Sequence, residues 1–299
     1  MALVLLNPSA QGGRAARCIP ALRQWLEAHA TDATLAAPQA LEDSIALLQA
    51  LPAGSRVVVV GGDGTLNCWL PTLLDKQHTV GLVPMGSGND SARAWGLHRL
   101  PWPAALSLAL QGTAQATDTG LARWNDLQGH AHETPFLSSL TAGFDAAVGL
   151  RALQGPRWLR GLPRYLWATL LELMRLRTWP LTLHSNGQRQ HQGPCLFASS
   201  LNTPTFGSGM PAVPHARIDD GRLDALLAGQ FTRGSALRML PLLLAGRHLR
   251  HPRVHTWPYT QLDMACASGV PLAADGEYLG VAREVTIRCQ TARLQVVRH

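Results

Sequence analysis

The sequence predicts a two-lobed protein: an N-terminal α/β lobe with a parallel sheet, then a mostly antiparallel β-sandwich lobe. Strand-like and helix-like segments alternate up to about residue 110, as they do in a parallel sheet covered by helices. The run "RVVVV" at residues 56–60 is apolar without alternation, which is typical of a strand buried on both faces. After Asp118, short extended runs separated by Gly, Asn and Pro predominate, and these indicate a sandwich or a barrel.

The elements of the first lobe follow from apolar periodicity and from turn residues. The sequence predicts a strand in "ALVLL", a helix from about residue 15 to 30, a short strand in "ATLAA" and a helix in "LEDSIALLQAL". The strand "RVVVV", a helix through residues 66–74, the strand "TVGLVPMG" and a helix that opens at "SGNDSARAWGL" come next. We therefore assign residues 1–118 to the α/β lobe.

The second lobe, residues 119–299, is predicted from short extended segments such as "FLSSLTAGF", "CLFASSL", "LDALLAG", "QLDMACA" and "EVTIRCQ". The Asn-Gly pair in "HSNGQR" predicts a tight hairpin. One helical block, from about residue 158 to 177, interrupts the strands. We expect a site in the cleft between the two lobes.

Composition narrows the class of protein. Apolar residues make up 46% of the 299 residues and charged residues 15%, which indicates a folded globular chain. There are 26 Lys and Arg against 19 Asp and Glu, a net charge of +7 that favours polyanions, anionic membrane surfaces or phosphorylated ligands. The five cysteines form no CxxC pair, so neither a zinc site nor a disulfide framework is predicted, and a reducing cytoplasm is the expected compartment.

The stretch "VVVVGGDGTLN" places glycines between a buried strand and a helix. Backbone N–H groups at such a helix start attract phosphate, and side chains in place of Gly61, Gly62 or Gly64 would hold a phosphate away. Asp63 suits this setting if a divalent cation lies between it and the phosphate. The pattern is not GxxxxGK[ST], which excludes a P-loop. A glycine turn required only by the strand-to-helix connection is the alternative.

A second glycine turn, "PMGSGND", ends the next predicted strand. Two such turns on successive strands would place Ser87, Asn89 and Asp90 beside Asp63 at the carboxyl edge of the sheet. Asp118 would arrive there from the lobe junction. Three carboxylates are a plausible metal shell. The alternative is that Asp90 only caps a helix; we favour the metal because Asp63 has no evident capping role.

These residues resemble a known family. The motifs "NPSAQGG", "GGDGTLN", "GSGND", "DTG", "GFDAAV", "PHARIDDGRLDA" and "DGE" occur in the order and spacing of the diacylglycerol kinase catalytic family. More narrowly, the chain resembles the soluble bacterial lipid kinases, relatives of sphingosine and ceramide kinases, from Leu3 to about Val297. The GGDGT motif is shared with NAD kinases and phosphofructokinases, whereas its combination with GSGND and DGE is more specific.

The resemblance implies an ATP-dependent, Mg²⁺-dependent kinase that phosphorylates a hydroxyl of a diacylglycerol-like or sphingoid lipid. It implies a nucleotide site on the NP turn, the GGDGT loop and one hydroxyl, namely Asn7, Pro8, Ser9, Gly61, Gly62, Asp63, Gly64, Thr65, Leu66, Asn67 and Ser87. It implies a water-linked Mg²⁺ network on Asp63, Asp90 and Asp118. A further structural Mg²⁺ would be held by Asp220 and by the backbone carbonyls of Arg217 and Arg222.

The resemblance also implies that Asp275 and Glu277 of the DGE turn are the catalytic carboxylates. Phosphorylating an alcohol requires a base for the hydroxyl proton. Asp-Gly pairs are ordinary hairpin residues, so a purely structural role is a strong alternative for Asp275 and a weaker one for Glu277. We predict that Glu277 is the general base and that Asp275 orients the hydroxyl or a metal-bound water.

Two departures from the family pattern keep other functions open. Gln11 stands where the family usually has glycine, and Cys68 stands where it commonly has glutamate. They motivate the alternative of a catalytically weakened, lipid-binding regulatory protein. A second alternative is an NAD-kinase-like enzyme with a soluble acceptor. An apolar acceptor site would indicate a lipid, and a polar one would indicate a dinucleotide.

The partners follow from the same patterns. Residues 156–179 are rich in Leu, Trp and Arg, which suits a membrane interface. We favour a helix packed on the β lobe instead, because apolar residues occur on more than one helical face. No apolar run approaches the roughly twenty residues that cross a bilayer, so we expect a soluble protein with peripheral contact at the inner face of the membrane as an option. We expect no nucleic-acid partner, and the oligomeric state stays open, a dimer included.

Overall fold

The computed structural model describes residues 2–86, 88–156, 158–159 and 162–299, and the chain divides into two compact units. The first unit runs to Thr117 and also contains Ala292–His299, and the second is Asp118–Thr291. The predicted fold class is confirmed, because parallel strands and helices form the first unit and antiparallel strands form the second. No pattern in the sequence indicated that the last residues return to the first unit.

The first unit is a parallel sheet with helices between its strands. The strands are β1 (Ala2–Leu6), β2 (Ala33–Ala36), β3 (Arg56–Gly61) and β4 (Thr79–Pro84). The helices are α1 (Ala10–Gly13, one irregular turn), α2 (Ile19–His29), α3 (Leu41–Ala50), α4 (Asp63–Asp75), α5 (Asp90–Ala94) and α6 (Trp102–Gln111). The sheet order is β2-β1-β3-β4, with every neighbouring pair parallel. In β3 every residue except Arg56 is buried, as predicted for a central strand.

The second unit is built on antiparallel strands. They are β5 (Ala114–Asp126, which begins in the first unit), β6 (Ala131–Phe136), β7 (Ser139–Gly143), β8 (Trp179–Ser185), β9 (Gln188–Cys195), β10 (Phe197–Leu201), β11 (Leu223–Ala228), β12 (Val254–Tyr259), β13 (Gln261–Ala274) and β14 (Glu277–Val297). The order β12-β11-β10-β7-β13-β14 forms one continuous path. Its helices are α7 (Phe144–Leu153), α8 (Leu162–Met174) and α9 (Arg233–Leu244).

Both faces of the central strands in this unit are covered. On β11, Leu223, Ala225 and Leu227 belong to a core shared with the other strands. The alternate residues, Leu226 and Ala228, pack in a second core with residues of α7, α8 and α9. Since successive side chains of a strand point to opposite faces, the three helices cover one face of this sheet.

The strands that the sequence predicted in this unit are present, and so is the hairpin. Asn186 and Gly187 have φ of 49° and 81°, the left-handed backbone that a two-residue hairpin turn requires. The predicted helical block from 158 to 177 is α8, with narrower bounds. Helices α7 and α9 were not predicted.

The end of β14 lies in the first unit. Gln295 and Val296 pair in parallel with Thr79 and Val80 of β4. The N–H of His299 donates to the carbonyl oxygen of Trp95 at 3.0 Å. The last residues of the chain are therefore part of the parallel sheet and its surroundings.

Candidate active site

The carboxyl end of β3 leads directly into α4, with Gly62 as the residue before the helix. The first intrahelical hydrogen bond runs from the Leu66 N–H to the Gly62 carbonyl oxygen at 3.1 Å. The amides of Asp63, Gly64 and Thr65 therefore precede the intrahelical ladder. Amides in this position, at the positive end of the helix dipole, attract anions. This end of the sheet has the backbone arrangement that a phosphate group requires.

The NP turn is tied to this helix start through Asn7. The Asn7 N–H donates to the Val60 carbonyl oxygen at 3.2 Å, and its Nδ2 donates to Thr65 Oγ1 at 2.9 Å. Asn7 Oδ1 accepts the Ser9 N–H at 3.0 Å. Pro8 is buried and Ser9 is exposed. Asn7 thus links the NP turn to the start of α4, the two segments of the predicted nucleotide site.

Asp63 has a structural role that the sequence argument missed. Its Oδ2 accepts the Asp90 N–H at 2.8 Å and its Oδ1 accepts the Ser91 N–H at 3.0 Å. These amides begin α5, so Asp63 caps a helix that starts 27 residues later in the chain. The premise that Asp63 has no capping role was wrong. Each oxygen retains a lone pair that can accept from water.

The glycine turn after β3 and the one after β4 are in close contact through Gly62 and Gly86. A Cβ atom on Gly62 would lie 2.6 Å from Gly86 Cα, and one on Gly61 would lie 2.7 Å from Thr65 Oγ1. A Cβ on Gly64 would meet no atom within 4 Å. Gly61 and Gly62 are therefore required by packing, and Gly64 is the glycine whose missing side chain leaves open space.

Asn89 fixes the second turn. It adopts a left-handed φ of 57°; its Oδ1 accepts the Gly86 N–H and its Nδ2 donates to the Gly86 carbonyl oxygen, both at 2.9 Å. Asp90 follows as the buried first residue of α5. The structure thus brings Asn89 and Asp90 to Asp63, as the sequence predicted. Ser87, the predicted nucleotide hydroxyl, lies outside the described residues.

The remaining nucleotide-site candidates follow along α4. Leu66 is fully buried in the core, Asn67 is half-buried and Cys68 is exposed. Gln11, on the NP side, has a φ of 53°. The glycine that the family usually carries there suits this left-handed backbone.

In the second unit, the DGE segment is the turn between β13 and β14. Asp275 and Gly276 have φ of 47° and 88°, and Ala274 pairs with Glu277 across the hairpin. The Asp275 carboxylate accepts three backbone N–H groups that precede or begin β7: Leu137 at 2.8 Å, Ser138 at 2.7 Å and Ser139 at 2.9 Å. The Asp275 N–H in turn donates to the Ser139 carbonyl oxygen at 2.8 Å. Asp275 is thus clamped to β7 by four hydrogen bonds.

Glu277 differs from Asp275 in its surroundings. It is the first residue of β14 and its side chain is exposed. A carboxylate that accepts three backbone N–H groups is rigidly held. An exposed carboxylate on the same turn is free to contact another molecule. The turn therefore presents one fixed acid and one accessible acid.

Asp118, on β5, is hydrogen-bonded to the DDG turn at residues 219–221. It is buried, and its Oδ2 accepts the Gly221 N–H at 2.7 Å. Its own N–H donates to the Ile218 carbonyl oxygen at 2.6 Å. Asp220 Oδ1 accepts the Arg222 N–H at 3.1 Å, and Arg217 contacts Asp219 at 3.6 Å.

Cys289, which is half-buried, lies within electrostatic reach of both Asp118 and Asp220. The pKa of its thiol is raised to about 12, mainly by burial and also by the charges of Asp118 and Asp220, while a hydrogen bond with Thr291 acts in the opposite direction. The sequence predicted two separate metal sites for these acids; in the structure, the Gly221 N–H that Asp118 accepts follows Asp220 directly in the chain.

Oxygen donors are the ligands that Mg²⁺ prefers, and it usually keeps several waters. Among the residues that the structure describes, no group of three or more His, Cys, Asp or Glu side chains lies close enough to hold one metal ion directly. Asp63 and Asp90 in the first unit, and Asp118 and Asp220 in the second, each offer carboxylate oxygens of the kind that Mg²⁺ binds directly or through water.

The second unit also contains an apolar pocket that sequence reasoning did not locate. It lies among α7, α8, α9 and the strands β10 and β11, with about 970 Å³ of space between its walls, part of it open to solvent. Its walls are mostly apolar or aromatic, for example Val148, Leu173, Phe206, Met239 and Leu243. The missed helices α7 and α9 supply much of this wall.

One carboxyl group lies in this pocket. Asp145, in the first turn of α7, is half-buried and lines the pocket. Ser199 Oγ donates to its Oδ2 at 3.1 Å. Burial raises the pKa of Asp145 to about 7, although the bond from Ser199 acts in the opposite direction. The carboxyl group is therefore neutral in a large fraction of molecules at neutral pH, which suits an apolar surrounding.

Comparison with protein families gives two matches. Residues 1–122 match the diacylglycerol kinase catalytic domain. Residues 138–298 match the YegS C-terminal NAD kinase beta sandwich-like domain. Together they extend over both units of the chain.

Proteins that are similar in sequence to this chain are named as kinases of the same family. A protein named "Diacylglycerol kinase" from Mycobacterium tuberculosis is 33% identical over 242 residues, which cover 81% of this chain and 76% of that protein. One named "Probable lipid kinase YegS-like" from Pseudomonas putida is 30% identical over 239 residues, 78% of this chain and 74% of that protein.

Solved structures share the fold. A crystal structure of a diacylglycerol kinase from Bacillus anthracis has a TM-score of 0.74 at 17% identity, with 100% of this chain and 96% of that chain covered. An NAD kinase from Archaeoglobus fulgidus in complex with ATP has a TM-score of 0.54 at 9% identity, with 100% and 94% covered.

Proposed function

Because this chain belongs to the diacylglycerol kinase family and is a kinase, we propose that it transfers the terminal phosphoryl group of ATP to a lipid hydroxyl. The acceptor class is a diacylglycerol-like or sphingoid lipid, and the reaction requires Mg²⁺. We propose a cytoplasmic location for this activity. None of the helices in the described residues has the length and apolar character of a membrane-spanning segment.

The observation that supports a lipid acceptor is the apolar pocket of the second unit. Its walls offer many apolar side chains and few polar groups. Small-molecule sites of this kind bury apolar ligands and use a few polar groups for orientation. A dinucleotide acceptor would need hydrogen-bonding partners for its sugars and its bases, and this pocket offers few. The pocket therefore favours a lipid over the soluble acceptor of an NAD-kinase-like enzyme.

The helix start after β3 supports the nucleotide half of the proposal. The amides of Asp63, Gly64 and Thr65 are positioned to bind phosphate oxygens, and Gly64 leaves the approach open. Asn7 keeps the NP turn against this helix start through Thr65. In this proposal Asn67, half-buried one turn into the helix, donates to phosphate or sugar oxygens.

Mg²⁺ would be held through water by Asp63, Asp90 and Asp118, and a structural ion by Asp220 with the carbonyls of Arg217 and Arg222. When bound, the ion neutralises charge on the transferring phosphoryl group. The two oxygens of Asp63 are oriented by their bonds to the amides of Asp90 and Ser91, which leaves them fixed as acceptors for ordered water.

The proton of the acceptor hydroxyl needs a base, and we assign this role to Glu277. Its side chain is exposed on the turn, whereas Asp275 is held by three backbone N–H groups. We therefore treat Asp275 as a positioning residue that fixes the turn from which Glu277 reaches the hydroxyl.

The activity itself is tested by incubating the purified protein with Mg²⁺ and ATP, and with a total lipid extract in detergent micelles. We expect a phosphorylated lipid to form, and no product when NAD replaces the lipid. Phosphorylation of NAD alone, or of neither acceptor, would contradict the proposal.

The role of Glu277 is tested with the Glu277→Gln variant, which keeps the shape of the side chain and removes its basicity. Loss of a general base costs about 10²- to 10⁴-fold in rate. We expect single-turnover phosphorylation to slow into that range while ATP binding, measured by calorimetry, is unchanged.

The matched variant is Asp275→Asn. Its amide cannot accept all three N–H groups as a carboxylate does, and each lost bond to a charged group costs about 1.5–3 kcal/mol. It should lower the melting temperature, which Glu277→Gln should not. A normal rate in Glu277→Gln together with a slow, stably folded Asp275→Asn would reverse the two roles.

A further inference from the structure

One buried asparagine is hydrogen-bonded to two parts of the candidate site in the second unit. Asn202 directly follows β10 and is 1% exposed. Its Nδ2 donates to the Asp118 carbonyl oxygen at 2.9 Å and to the Leu137 carbonyl oxygen at 2.8 Å. Both hydrogens of the amide group are therefore engaged, and each holds a different segment of the chain.

The bond to Leu137 leads to the DGE turn. The Leu137 carbonyl group and the Ser138 N–H belong to one planar peptide group, and that N–H donates to Asp275 Oδ1 at 2.7 Å. This peptide group thus accepts from Asn202 and donates to Asp275, and such consecutive bonds strengthen one another. The backbone N–H of Asn202 also donates to the Ser138 carbonyl oxygen at 2.8 Å. Asn202 therefore supports the clamp that fixes the DGE turn.

The bond to Asp118 leads to the DDG turn. The Asp118 N–H donates to the Ile218 carbonyl oxygen at 2.6 Å, and Asn202 holds the carbonyl group of the same residue. The backbone of Asp118 is thus fixed on both sides of its side chain. Its carboxylate accepts the Gly221 N–H at 2.7 Å. Asn202 therefore helps to set the position of this buried carboxylate.

The Oδ1 atom of Asn202 shows what the amide contributes at this position. It is buried and has no hydrogen-bond partner within the described part of the chain. A buried acceptor without a partner costs stability, and turning the amide over would bring Oδ1 against the two carbonyl oxygens that Nδ2 contacts. The favourable contribution of this side chain is therefore its pair of bonds to Asp118 and Leu137.

We propose that Asn202 is a positioning residue for phosphoryl transfer, which holds the Asp118 carboxylate and the DGE turn in one fixed arrangement. The inference rests on the proposed function, which gives Glu277 the proton of the acceptor hydroxyl and Asp118 a place in the Mg²⁺ network. Asn202 acts through these groups and touches no substrate. Because a displacement of about 1 Å can slow a reaction about a hundredfold, loss of the tie between the two segments should lower the rate.

A purely structural role is the alternative, and the neighbouring Thr203 provides a matched comparison. Thr203 is 2% exposed. Its Oγ1 is hydrogen-bonded to Ser138 Oγ at 2.6 Å and donates to the Thr205 carbonyl oxygen at 2.8 Å. Thr203 thus holds the segment before β7, as Asn202 does, but neither of these bonds reaches Asp118. Thr203→Val removes the hydroxyl group and keeps the shape of the side chain.

Steady-state kinetics in detergent micelles separate positioning from stability. Asn202→Leu keeps the approximate volume of the side chain and removes both donors. We expect its kcat to fall about ten- to hundredfold. Its KM for ATP should stay within about twofold of the parent's, because both side-chain bonds of Asn202 lie in the second unit. Thr203→Val should keep the parent's kcat.

Asn202→Ala keeps the test decisive if Asn202→Leu does not fold. Its smaller side chain leaves room for water to bond to the two carbonyl groups, but water does not hold the two segments in a fixed arrangement. We expect the same loss of kcat. A parent-like kcat in the Asn202 variants, or an equal loss of kcat in Thr203→Val, would overturn the inference.

Hydrogen exchange tests the same tie without any catalytic step. The Ser138 N–H reports on the Asp275 clamp, and the Gly221 N–H reports on the Asp118 carboxylate. Relative to amides of β11, which report on global unfolding, both should exchange at least about tenfold faster in Asn202→Ala than in the parent. In Thr203→Val the Gly221 amide should exchange as in the parent. Parent-like exchange at either amide in Asn202→Ala would contradict the inference.

The inference and the proposed function fail separately. Lipid phosphorylation with the parent's kcat in both Asn202 variants would remove the positioning role and leave the kinase proposal standing. If the parent phosphorylates no lipid, the proposed function fails, and the exchange of the Ser138 and Gly221 amides still decides whether Asn202 joins the two segments.

Discussion

At the scale of single residues, Gly62 and Gly64 have different reasons to be glycine. Gly62 lies against the backbone of Gly86, whereas Gly64 faces open space. From the sequence, both were predicted to leave room for a phosphate. The structure therefore separates a glycine that the loop packing requires from one that can be changed without a clash.

We predict opposite outcomes for substitutions at these two glycines. Gly64→Val should fold like the parent and bind ATP at least about tenfold more weakly, because the new side chain occupies the approach to the helix amides. Gly62→Ala should lose about 1–3 kcal/mol of unfolding free energy, because its Cβ would clash with Gly86. Calorimetric titration with ATP and urea unfolding measure the two effects. Unchanged ATP affinity in Gly64→Val would contradict the phosphate role.

Asp145 makes stability depend on pH. Its pKa is raised from 3.8 to about 7 in the folded protein, so between these values the folded state binds more protons than the unfolded state. The free energy of unfolding should fall as pH rises from about 4 to 7, and the contribution should be constant above pH 7. In Asp145→Asn this decline should be smaller, as measured by urea midpoints across that range. An identical decline in the variant would show that other groups cause it.

At the scale of elements, the sequence predicted the parallel strands and most of their helices, since their apolar patterns are long and regular. Helix α7 was missed because "FLSSLTAGF" continues an extended pattern until Gly143, where a φ of 96° ends the strand. Helix α9 contains Pro241, and an internal proline ordinarily argues against a helix.

Contacts between elements explain what remained hidden in the candidate site. The two glycine turns could be placed together because successive parallel strands end at one edge of the sheet. The cap from Asp63 to α5 joins residues 27 positions apart, and the clamp on Asp275 joins residues more than 130 apart. A local sequence pattern does not show which distant residues are hydrogen-bonded to each other. The roles of these residues in binding and catalysis stay predictions.

At the scale of the whole molecule, the chain completes its first unit with its last residues. Leu294, Val296 and Val297 are buried there. Burying such side chains contributes about 1.5–3 kcal/mol each, a large share of the 5–15 kcal/mol that stabilises a typical domain.

We therefore predict that removing residues 292–299 unfolds the first unit. Hydrogen exchange should show loss of protection in β3 and β4, while β10 and β11 of the second unit keep theirs. Removing only Arg298 and His299 is the control, because it loses their hydrogen bonds to Gln115 and Trp95 but keeps the buried apolar side chains, and it should cost less than the longer deletion. Retained protection of β4 in the longer deletion would contradict the prediction.

The placement of the pocket helices has a consequence for protein engineering. Helices α7 and α8 form an insert between β7 and β8, and α9 an insert between β11 and β12. The turn that presents Glu277 is instead held by strand pairing and by the Asp275 clamp. Under the proposed function, exchanging these inserts between relatives should transfer the acceptor preference of the donor while the turn that carries Glu277 stays unchanged.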